Sequence, residues 1–344
     1  MVRSFIDLFA LFVLLLLCSC AENVSRVPHG IIAKLQRHSI PADPADFPKG
    51  ELRLRYQWKL HPGTVIHTPM STELGIPSIK GSVNGMEVPL ILDTGNAFPI
   101  LFDAASAADI QIPSIQGAKA KGAGIGGTVD VMMARYESIH LGGHPVLGAG
   151  IAGVFLHSYR TTFAGMTVED KPLNLLGLPL LGQFSFLSID APRQKVSLAY
   201  KRPFTPPHGA VYFPFSITDG RIWVVVKIED KEVRAFFDSG CGSSLRIPPD
   251  ILKTIPKSAF VSENLQKRRA MGVGGIEIER VGKFKRAQVG NVRFEPLEFD
   301  TSPGSNEALI GWGPFSKHRI TIDFVEHKIW VEPTQQDVVD KNRN

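Results

Sequence analysis

The stretch PLILDTGNAFPI, residues 89–100, carries an aliphatic run straight into an aspartate, Asp93. An unpaired ionised carboxylate at the end of a buried strand is costly, so Asp93 has to shift its pKa or find hydrogen-bond donors. A single Asp-Thr-Gly would prove little, because the tripeptide is also ordinary turn chemistry. The chain does the same again, however, in RAFFDSGCGSS, residues 234–244, where Asp238 precedes Ser and Gly. The recurrence indicates a repeated unit built around each aspartate.

The repeat extends over most of the chain. Residues 67–95 align without a gap with residues 212–240, at an offset of 145 that places Asp93 on Asp238. Further matching segments follow in the same order in both halves: GAGIGG (122–127) and MGVGG (271–275), LLG (175–177) and LIG (309–311), and FLSIDAPRQK (186–195) and RITIDFVEHK (319–328). Self-similarity of this kind indicates one structural unit that occurs twice, and it outranks any local motif.

Short segments rich in β-branched and aromatic residues occur in both halves, among them SIKGSV (78–83) and WVVVKI (223–228). Gly, Asn, Asp or Pro bound these segments, and the pattern is typical of strands. Only two short stretches, 103–110 and 248–255, predict helix. The sequence therefore predicts an all-β protein with two similar lobes. We expect the lobes to cover residues 61–205 and 206–335.

On these motifs, each half resembles one lobe of an aspartic protease of the pepsin and retropepsin superfamily, most of all the bacterial retropepsin-like members. The ordered set of Asp-Thr/Ser-Gly, glycine-rich turn, aliphatic-aliphatic-Gly and Ile-Asp-x-x-x-x-Lys, present twice, carries the resemblance. It implies the acid protease fold, in which two pseudo-symmetric β-barrel lobes have the active site in the cleft between them. Because one chain supplies both lobes, the resemblance also implies a monomer, with a polypeptide as its substrate.

The resemblance makes Asp93 and Asp238 the catalytic pair of an aspartic endopeptidase. Hydrolysis without a metal or a covalent nucleophile needs one carboxylate to deprotonate water and one carboxylic acid to polarise the carbonyl. Two carboxyls about 3 Å apart share one proton, because both cannot ionise together, and so supply both roles. Neither a metal nor another cofactor is expected. The resemblance implies supporting roles around the pair for Thr94, Gly95, Asn96, Ser239, Gly240 and Cys241.

Two glycine-rich turns resemble the hairpin flaps that close over bound peptide in retropepsins. A phosphate-binding loop is the alternative for such glycines, but neither Lys-Ser/Thr nor a helix follows them. The resemblance also implies a structural role for Gly177 and Gly311, in segments that pack behind the aspartate loops. The flap residues are Gly124, Ile125, Gly126 and Gly127 in the first half and Gly272, Val273, Gly274 and Gly275 in the second.

Two positions depart from the family pattern. The family usually has Ser, Thr or Ala after Asp-Thr/Ser-Gly, whereas this chain has Asn96 and Cys241 there. The amide of Asn96 offers donors beside Asp93 while the thiol of Cys241 is a weak donor, so we expect the shared proton to rest more often on Asp238. The departures leave a second hypothesis open: a catalytically inactive lipoprotein of the same fold that binds a peptide or scaffolds a complex.

Other motifs give weaker alternatives. FDSGCG resembles the Gly-Asp-Ser-Gly-Gly of chymotrypsin-like serine proteases, which would make Ser239 a nucleophile, but two glycines of that motif are replaced. Cys241 as a thiolate nucleophile needs a nearby histidine, and the sequence assigns none. The two glycines between His140 and His144 argue against the helix that would align these residues as a metal pair.

The N-terminal residues 1–19 have the pattern of a secretory signal, in which Arg3 precedes an apolar run too short to span a bilayer comfortably. LCSC, residues 17–20, resembles the bacterial lipoprotein signal, which makes Cys20 the lipidated first residue of the mature chain. The resemblance implies a lipid anchor in a bacterial cell envelope, on the periplasmic side and in the outer membrane. An ordinary cleaved signal is the alternative.

Composition is that of a folded globular chain, with 44% hydrophobic and 21% charged residues. The formal charge of +5 comes from 38 basic and 33 acidic residues spread along the chain, without a basic block. Nucleic acid is therefore not an expected partner. The polar residues 20–60 predict a tether between anchor and body, and residues 336–344 a polar tail.

Overall fold

The structure is a computed structural model that describes residues 29–37, 39–43, 55–124, 126–156, 160–163, 166–170, 172–272, 275–304 and 306–332. The predicted signal sequence, Cys20 and the predicted tail all lie outside the described residues. Strands make up 52% of the structure and helices 10%, which confirms the prediction of an all-β protein. None of the helices in the described ranges is long and apolar enough to cross a membrane.

The first half of the chain forms short helices and many strands. Helix α2 lies within the predicted helical stretch 103–110. It begins after Asp103, whose carboxylate accepts the N–H of Ser106 as an N-cap. The described elements are α1 (His29–Arg37), β1 (Val65–Ser71), β2 (Ser78–Val83), β3 (Met86–Asp93), β4 (Ile100–Asp103), α2 (Ala104–Asp109), β5 (Ser114–Gly124), β6 (Gly127–Tyr136), β7 (Ile139–Leu141), β8 (His144–Leu147), β9 (Gly150–Phe155), β10 (Arg160–Phe163), β11 (Met166–Asp170), β12 (Leu175–Gly177), α3 (Leu178–Leu181), β13 (Phe186–Asp190) and β14 (Lys195–Ala199).

The second half has the same character. The predicted helix 248–255 is reduced to α4, a single turn, and Pro256 follows closely and cannot continue a helix. The described elements are β15 (Val211–Pro214), β16 (Ser216–Thr218), β17 (Arg221–Ile228), β18 (Lys231–Asp238), β19 (Leu245–Arg246), α4 (Pro249–Leu252), a 3₁₀ turn (Lys257–Ala259), β20 (Gln266–Gly272), β21 (Gly275–Phe284), β22 (Ala287–Val289), β23 (Val292–Phe294), β24 (Leu297–Thr301), β25 (Ala308–Gly311), a 3₁₀ turn (Gly313–Phe315), β26 (Arg319–Asp323) and β27 (Lys328–Glu332).

The strands pair in the same way in both halves. β2 and β3 form an antiparallel pair, as β17 and β18 do. β12 then lies parallel to β3 with Gly177 opposite Asp93, and β25 lies parallel to β18 with Gly311 opposite Asp238. The hairpin of β5 and β6 corresponds to that of β20 and β21. The sequence repeat is thus a repeat of strand topology, and it places each aspartate at the end of an equivalent strand.

A shared sheet joins the two halves. β13 of the first half pairs antiparallel with β26 of the second, with Leu187 opposite Ile322. β15 and β27 extend this sheet on one side, and β14 and β1 extend it on the other. Across the junction the buried hydroxyl of Thr321 donates to Ser188 at 3.0 Å. No closed barrel is found among the described strands, in contrast to the barrel lobes that the family resemblance implies.

The prediction that residues 20–60 form a tether is wrong in part, because helix α1 lies within this segment and packs against α2. Leu35 of this helix is buried in the apolar core, and the hydroxyl of Ser114 donates to the Leu35 carbonyl at 2.9 Å. A parallel bridge then joins Ile40 to Ile115. The apolar residues of HGIIAKLQR (29–37) form the face of α1 that packs against the protein. The prolines further along the sequence had favoured the prediction of an unstructured tether.

The apolar core extends up to the aspartate at the end of β3. In β3 the residues Leu90, Ile91 and Leu92 are all buried, so the strand enters the protein interior just before Asp93. The main apolar core continues through both halves. Within the described residues a second, smaller apolar cluster lies in the first half. This cluster borders the cleft and includes Ile91, Leu101, Val129, Leu173 and Leu175.

Candidate active site

The two predicted catalytic aspartates lie face to face at the ends of β3 and β18. The N–H of Gly95 donates to Asp93 Oδ1 at 2.9 Å, and the N–H of Gly240 donates to Asp238 Oδ1 at 2.9 Å. A Cβ atom on Gly95 would lie 2.6 Å from Asp238 Oδ2, and one on Gly240 would lie 2.5 Å from Asp93 Cγ. Each turn therefore presses against the carboxyl of the other half, and this close approach requires glycine at both positions.

The two carboxyl groups hydrogen-bond to each other, and both have a raised pKa. Burial, the negative charge of Asp238 and the shared hydrogen bond raise the pKa of Asp93 well above its ordinary value. Burial also raises the pKa of Asp238, but the hydrogen bond with Asp93, N–H donors and the charge of Arg246 oppose the rise. The pair therefore holds one proton over a wide pH range, and the two carboxyls titrate as a unit.

That the proton rests more often on Asp238 stays a prediction, but its premise that the side chain of Asn96 supports Asp93 is wrong. The side chain of Asn96 turns away from the pair: its Nδ2 donates to the Phe98 carbonyl at 3.0 Å, and its Oδ1 accepts the Phe98 N–H at 3.1 Å. Asn96 therefore supports the Asp93 carboxylate through its backbone N–H and not through its side chain. Asp238 gains the charge of Arg246, which the sequence-based comparison of Asn96 with Cys241 did not include.

Thr94 and Ser239 brace the two aspartate loops reciprocally, and both are fully buried. The N–H of Thr94 donates to Ser239 Oγ at 3.1 Å, and the N–H of Ser239 donates to Thr94 Oγ1 at 3.0 Å. Each hydroxyl then donates to a carbonyl of the opposite half, Thr94 to Phe237 at 3.0 Å and Ser239 to Leu92 at 2.6 Å. Each hydroxyl thus donates one hydrogen bond and accepts one within the brace, and the fully buried Ser239 is not exposed as a nucleophile would be.

Cys241 lies in the cleft wall next to Asp238. Its side chain is 4% exposed, and it hydrogen-bonds to Ser243. Burial, followed by the negative charge of Asp238, raises the pKa of the Cys241 thiol to about 12. A thiol with this pKa stays protonated at neutral pH and is a poor nucleophile.

Gly177 and Gly311 lie directly behind the aspartate loops. A Cβ atom on Gly177 would overlap the carbonyl oxygen of Phe98, and one on Gly311 would overlap the carbonyl oxygen of Ser243. The following residue of each segment donates its N–H to the loop, as Trp312 does to the Cys241 carbonyl at 2.7 Å. The two glycines thus let a strand pack against the loop backbone and fix its position.

The two predicted flaps are β-hairpins whose tips meet over the cleft. Gly124 pairs with Gly127 in the first hairpin, and Gly272 pairs with Gly275 in the second. Gly126 has φ +89°, and a Cβ atom there would overlap the backbone of Gly275. The remaining predicted flap residues, Ile125, Val273 and Gly274, lie outside the described residues.

A cavity of about 360 Å³ lies beneath the hairpins. Its floor contains Asp93 and Asp238, and Gly124 and Gly272 contribute to its roof. Within the described part of the chain no three His, Cys, Asp or Glu side chains form a group that could hold a metal ion. A ligand in the cavity would therefore contact two carboxyl groups that share one proton.

Sequence reasoning missed a buried charged group behind Asp238. The side chain of Arg246 is 7% exposed. Its guanidinium donates to Asp300 at 2.7 Å, to Glu277 at 2.6 Å and to Glu279 at 2.6 Å. The repeat carried a signal for this group, because Arg246 falls on Leu101 and a charge thus replaces an apolar residue at an equivalent strand position.

The arrangement can perform acid and base chemistry with two side chains of one type. A comparison with protein-family models gave no match, and a comparison with curated proteins gave none either. A functional assignment therefore rests on the geometry of the two aspartates, their braced loops and the hairpins above them.

Asp93→Asn is expected to stabilise the fold as the pH rises. Because the pKa of Asp93 is raised, the folded protein retains a proton that the unfolded chain releases. The stability from this carboxyl is therefore complete below its ordinary pKa of about 4 and is lost as the pH rises through the raised pKa. A neutral amide avoids this loss. Thermal unfolding from acidic to alkaline pH should show a gain for the variant that is absent below about pH 4.

Asp250→Asn is the matched control for this comparison. Asp250 is exposed, and the hydrogen bond and charge of Lys253 lower its pKa, so its replacement should bring no gain at any pH. An Asp93→Asn variant whose unfolding temperature follows that of the wild type at every pH would contradict the raised pKa.

Proposed function

We propose that the protein is an aspartic endopeptidase with the two-lobed acid protease fold. The observation that carries the proposal is the pair Asp93 and Asp238, which share one proton at equivalent strand ends. The reciprocal brace of Thr94 and Ser239 supports it, since it holds the pair at hydrogen-bonding distance. Both aspartates belong to one chain, so the proposal includes a monomer that needs neither a second copy nor a cofactor.

In the proposed reaction a water molecule lies between the two carboxyls and attacks the peptide carbonyl carbon. The ionised Asp238 takes a proton from the water as the C–O bond forms, and Asp93 gives its proton to the carbonyl oxygen. The resulting tetrahedral diol then breaks down. Asp238 passes its proton to the amide nitrogen as the C–N bond breaks, and Asp93 regains a proton from the diol. A carboxylic acid and an amine leave as the two products, and the pair is restored with its proton on Asp93.

The hairpins suit a polypeptide substrate. Their tips meet above the cavity, so an extended chain would have to pass beneath them, where it is held against the carboxyls and screened from bulk water. The proposed substrate class is therefore a peptide segment that can take an extended conformation.

One observation favours the alternative of a peptide-binding or scaffolding lipoprotein. Asn96 directs its side chain to Phe98, and Cys241 directs its thiol to Ser243, so neither supports the carboxyls as a serine hydroxyl would. Digestion of a denatured protein mixture in ¹⁸O-water separates the two functions. New peptide termini that carry ¹⁸O in their carboxyls, absent with Asp93→Asn, support the protease. Peptides that are retained without new termini support the binding protein.

We further propose that Cys20 carries a lipid anchor that holds the protein on the periplasmic side of a bacterial outer membrane. Cys20→Ala is expected to move the protein from the membrane fraction to the soluble fraction, because lipidation requires this thiol. Fractionation followed by immunoblotting measures the change. Cys18→Ala is the matched control and should remain in the membrane fraction. A processed Cys20→Ala protein that stays membrane-bound would refute the anchor.

A further inference from the structure

The two walls of the cleft differ in a systematic way. The strand pairing aligns the halves residue by residue, and several apolar positions of the first half carry charges in the second. Given as first-half residue and second-half equivalent, these positions include Ile76 and Arg221, Leu101 and Arg246, Val129 and Glu277, Val131 and Glu279, and Leu173 and Glu307.

The wall of the first half is apolar. Ile76, Leu101, Val129 and Leu173 all line the cavity above the aspartates. They belong to the apolar cluster that is separate from the main core, or pack against it. Burying a side chain against this wall removes apolar surface from water on both sides of the contact, which favours an aliphatic or aromatic ligand group.

The wall of the second half is charged. Arg221 lines the cavity and forms an ion pair with Glu307, and the two side chains are 38% and 47% exposed. Asp219 lines the cavity beside them. Behind this pair lies Arg246 with its three carboxylate partners. An apolar side chain placed against this wall would remove water from charged groups without replacing their hydrogen bonds.

The balance of charge in this wall is negative. Arg221 and Arg246 face four partner carboxylates, those of Glu307, Glu277, Glu279 and Asp300. A further pair, Arg268 and Glu298, adds one charge of each sign and leaves the excess unchanged. Asp219, which lines the cavity, adds one more carboxylate, so carboxylates outnumber guanidinium groups in this wall. Lys121 also lines the cavity, but it belongs to the first half and lies opposite Asp130 in its hairpin.

We propose that the cleft selects peptides with an apolar side chain on one side of the scissile bond and a basic side chain on the other. The apolar side chain packs on the first-half wall, and a lysine or arginine binds the second-half wall, where Asp219 lines the cavity and Glu307 pairs with the cavity-lining Arg221. The inference rests on the proposed function, because it assumes that an extended peptide occupies the cleft.

Binding of uncleavable peptides tests this selection without requiring catalysis. The probes are fluorescent reduced-amide peptides that carry Phe–Lys, Phe–Phe or Phe–Glu around the modified bond, each in both orders. Fluorescence polarisation with the wild-type protein should show one order of the Phe–Lys pair binding at least about tenfold tighter than Phe–Glu, and tighter than Phe–Phe. Equal binding, or a preference for the Glu peptides, would overturn the proposal.

Two variants locate the effect. Glu307→Gln leaves Arg221 without its partner, so the preference should fall or turn toward the Glu peptides. The double variant Arg221→Ile/Glu307→Leu introduces residues of the first-half type and should favour Phe–Phe. Glu87→Gln is the matched control, because Glu87 forms an exposed ion pair with Lys80 on β2 and β3. Retention of the Lys preference in Glu307→Gln would also overturn the proposal.

The two proposals fail separately. A protein that binds the Phe–Lys probe selectively but produces no new peptide termini contradicts the protease function and leaves the selectivity standing. A protein that cleaves peptides irrespective of the neighbouring charges contradicts the selectivity alone. A protein that binds none of the probes contradicts the selectivity, and it contradicts both proposals only if it also produces no new peptide termini.

Discussion

Asp93→Asn and Asp238→Asn are each expected to abolish peptide hydrolysis, with a loss on the order of 10³-fold or more in kcat/KM. The reason lies in the shared proton. With an amide at position 93 no carboxylic acid remains to protonate the carbonyl oxygen. With an amide at position 238 no carboxylate remains to accept the proton of water. Each replacement removes one of two roles that the reaction needs at the same moment.

The double variant is expected to be no worse than either single variant, because residues that act as one unit lose their effect together. Initial rates on one fluorogenic peptide measure all three variants, and Asp250→Asn is the control for loss of a carboxylate on the surface. A single variant with substantial activity would remove the two-carboxyl mechanism. Losses that add in the double variant would indicate two independent sites.

The position of both aspartates could be predicted because each ends a strand of apolar residues: buried aliphatic residues precede Asp93, and Phe236 and Phe237 precede Asp238. The brace could be anticipated as well, since a hydroxyl residue, Thr94 or Ser239, follows each aspartate. The direction in which the Asn96 side chain points could not be predicted. Asn96 has donors suited to Asp93, yet its loop places the backbone of Phe98 within closer reach.

Other features escaped prediction for physical reasons that differ from one to the next. α1 is stabilised by tertiary packing of Leu35, a contact with residues distant in the sequence that a local pattern does not reveal. The Arg246 group stabilises itself through partners on two other strands, Glu277 and Glu279 on β21 and Asp300 on β24. Alignment of the halves by identical residues draws attention to what they share, whereas this group lies where they differ.

Arg246→Leu is expected to destabilise the fold by about 3–5 kcal/mol, although leucine is the residue at the equivalent position of the first half. Removal of the guanidinium leaves three buried carboxylates without their common donor. Arg268 reaches only part of the group, with a 2.6 Å contact to Glu279. Chemical denaturation at neutral pH measures the loss, and Arg193→Leu, which removes an exposed guanidinium that pairs with Asp190, should cost much less.

The cost should depend on pH, and this dependence distinguishes lost charge pairing from lost packing. Burial raises the pKa of Asp300 and the charge of Arg246 opposes this rise, so without Arg246 the Asp300 carboxyl is neutral at acidic pH and the penalty of burying it shrinks. The variant Arg246→Leu/Glu277→Val/Glu279→Val/Asp300→Gly introduces the full first-half set. It should recover most of the stability at neutral pH, because an apolar group of similar volume replaces a buried ion group at little or no cost. If Arg246→Leu alone lies within about 1 kcal/mol of the wild type at neutral pH, the ion group does not hold the second-half wall together.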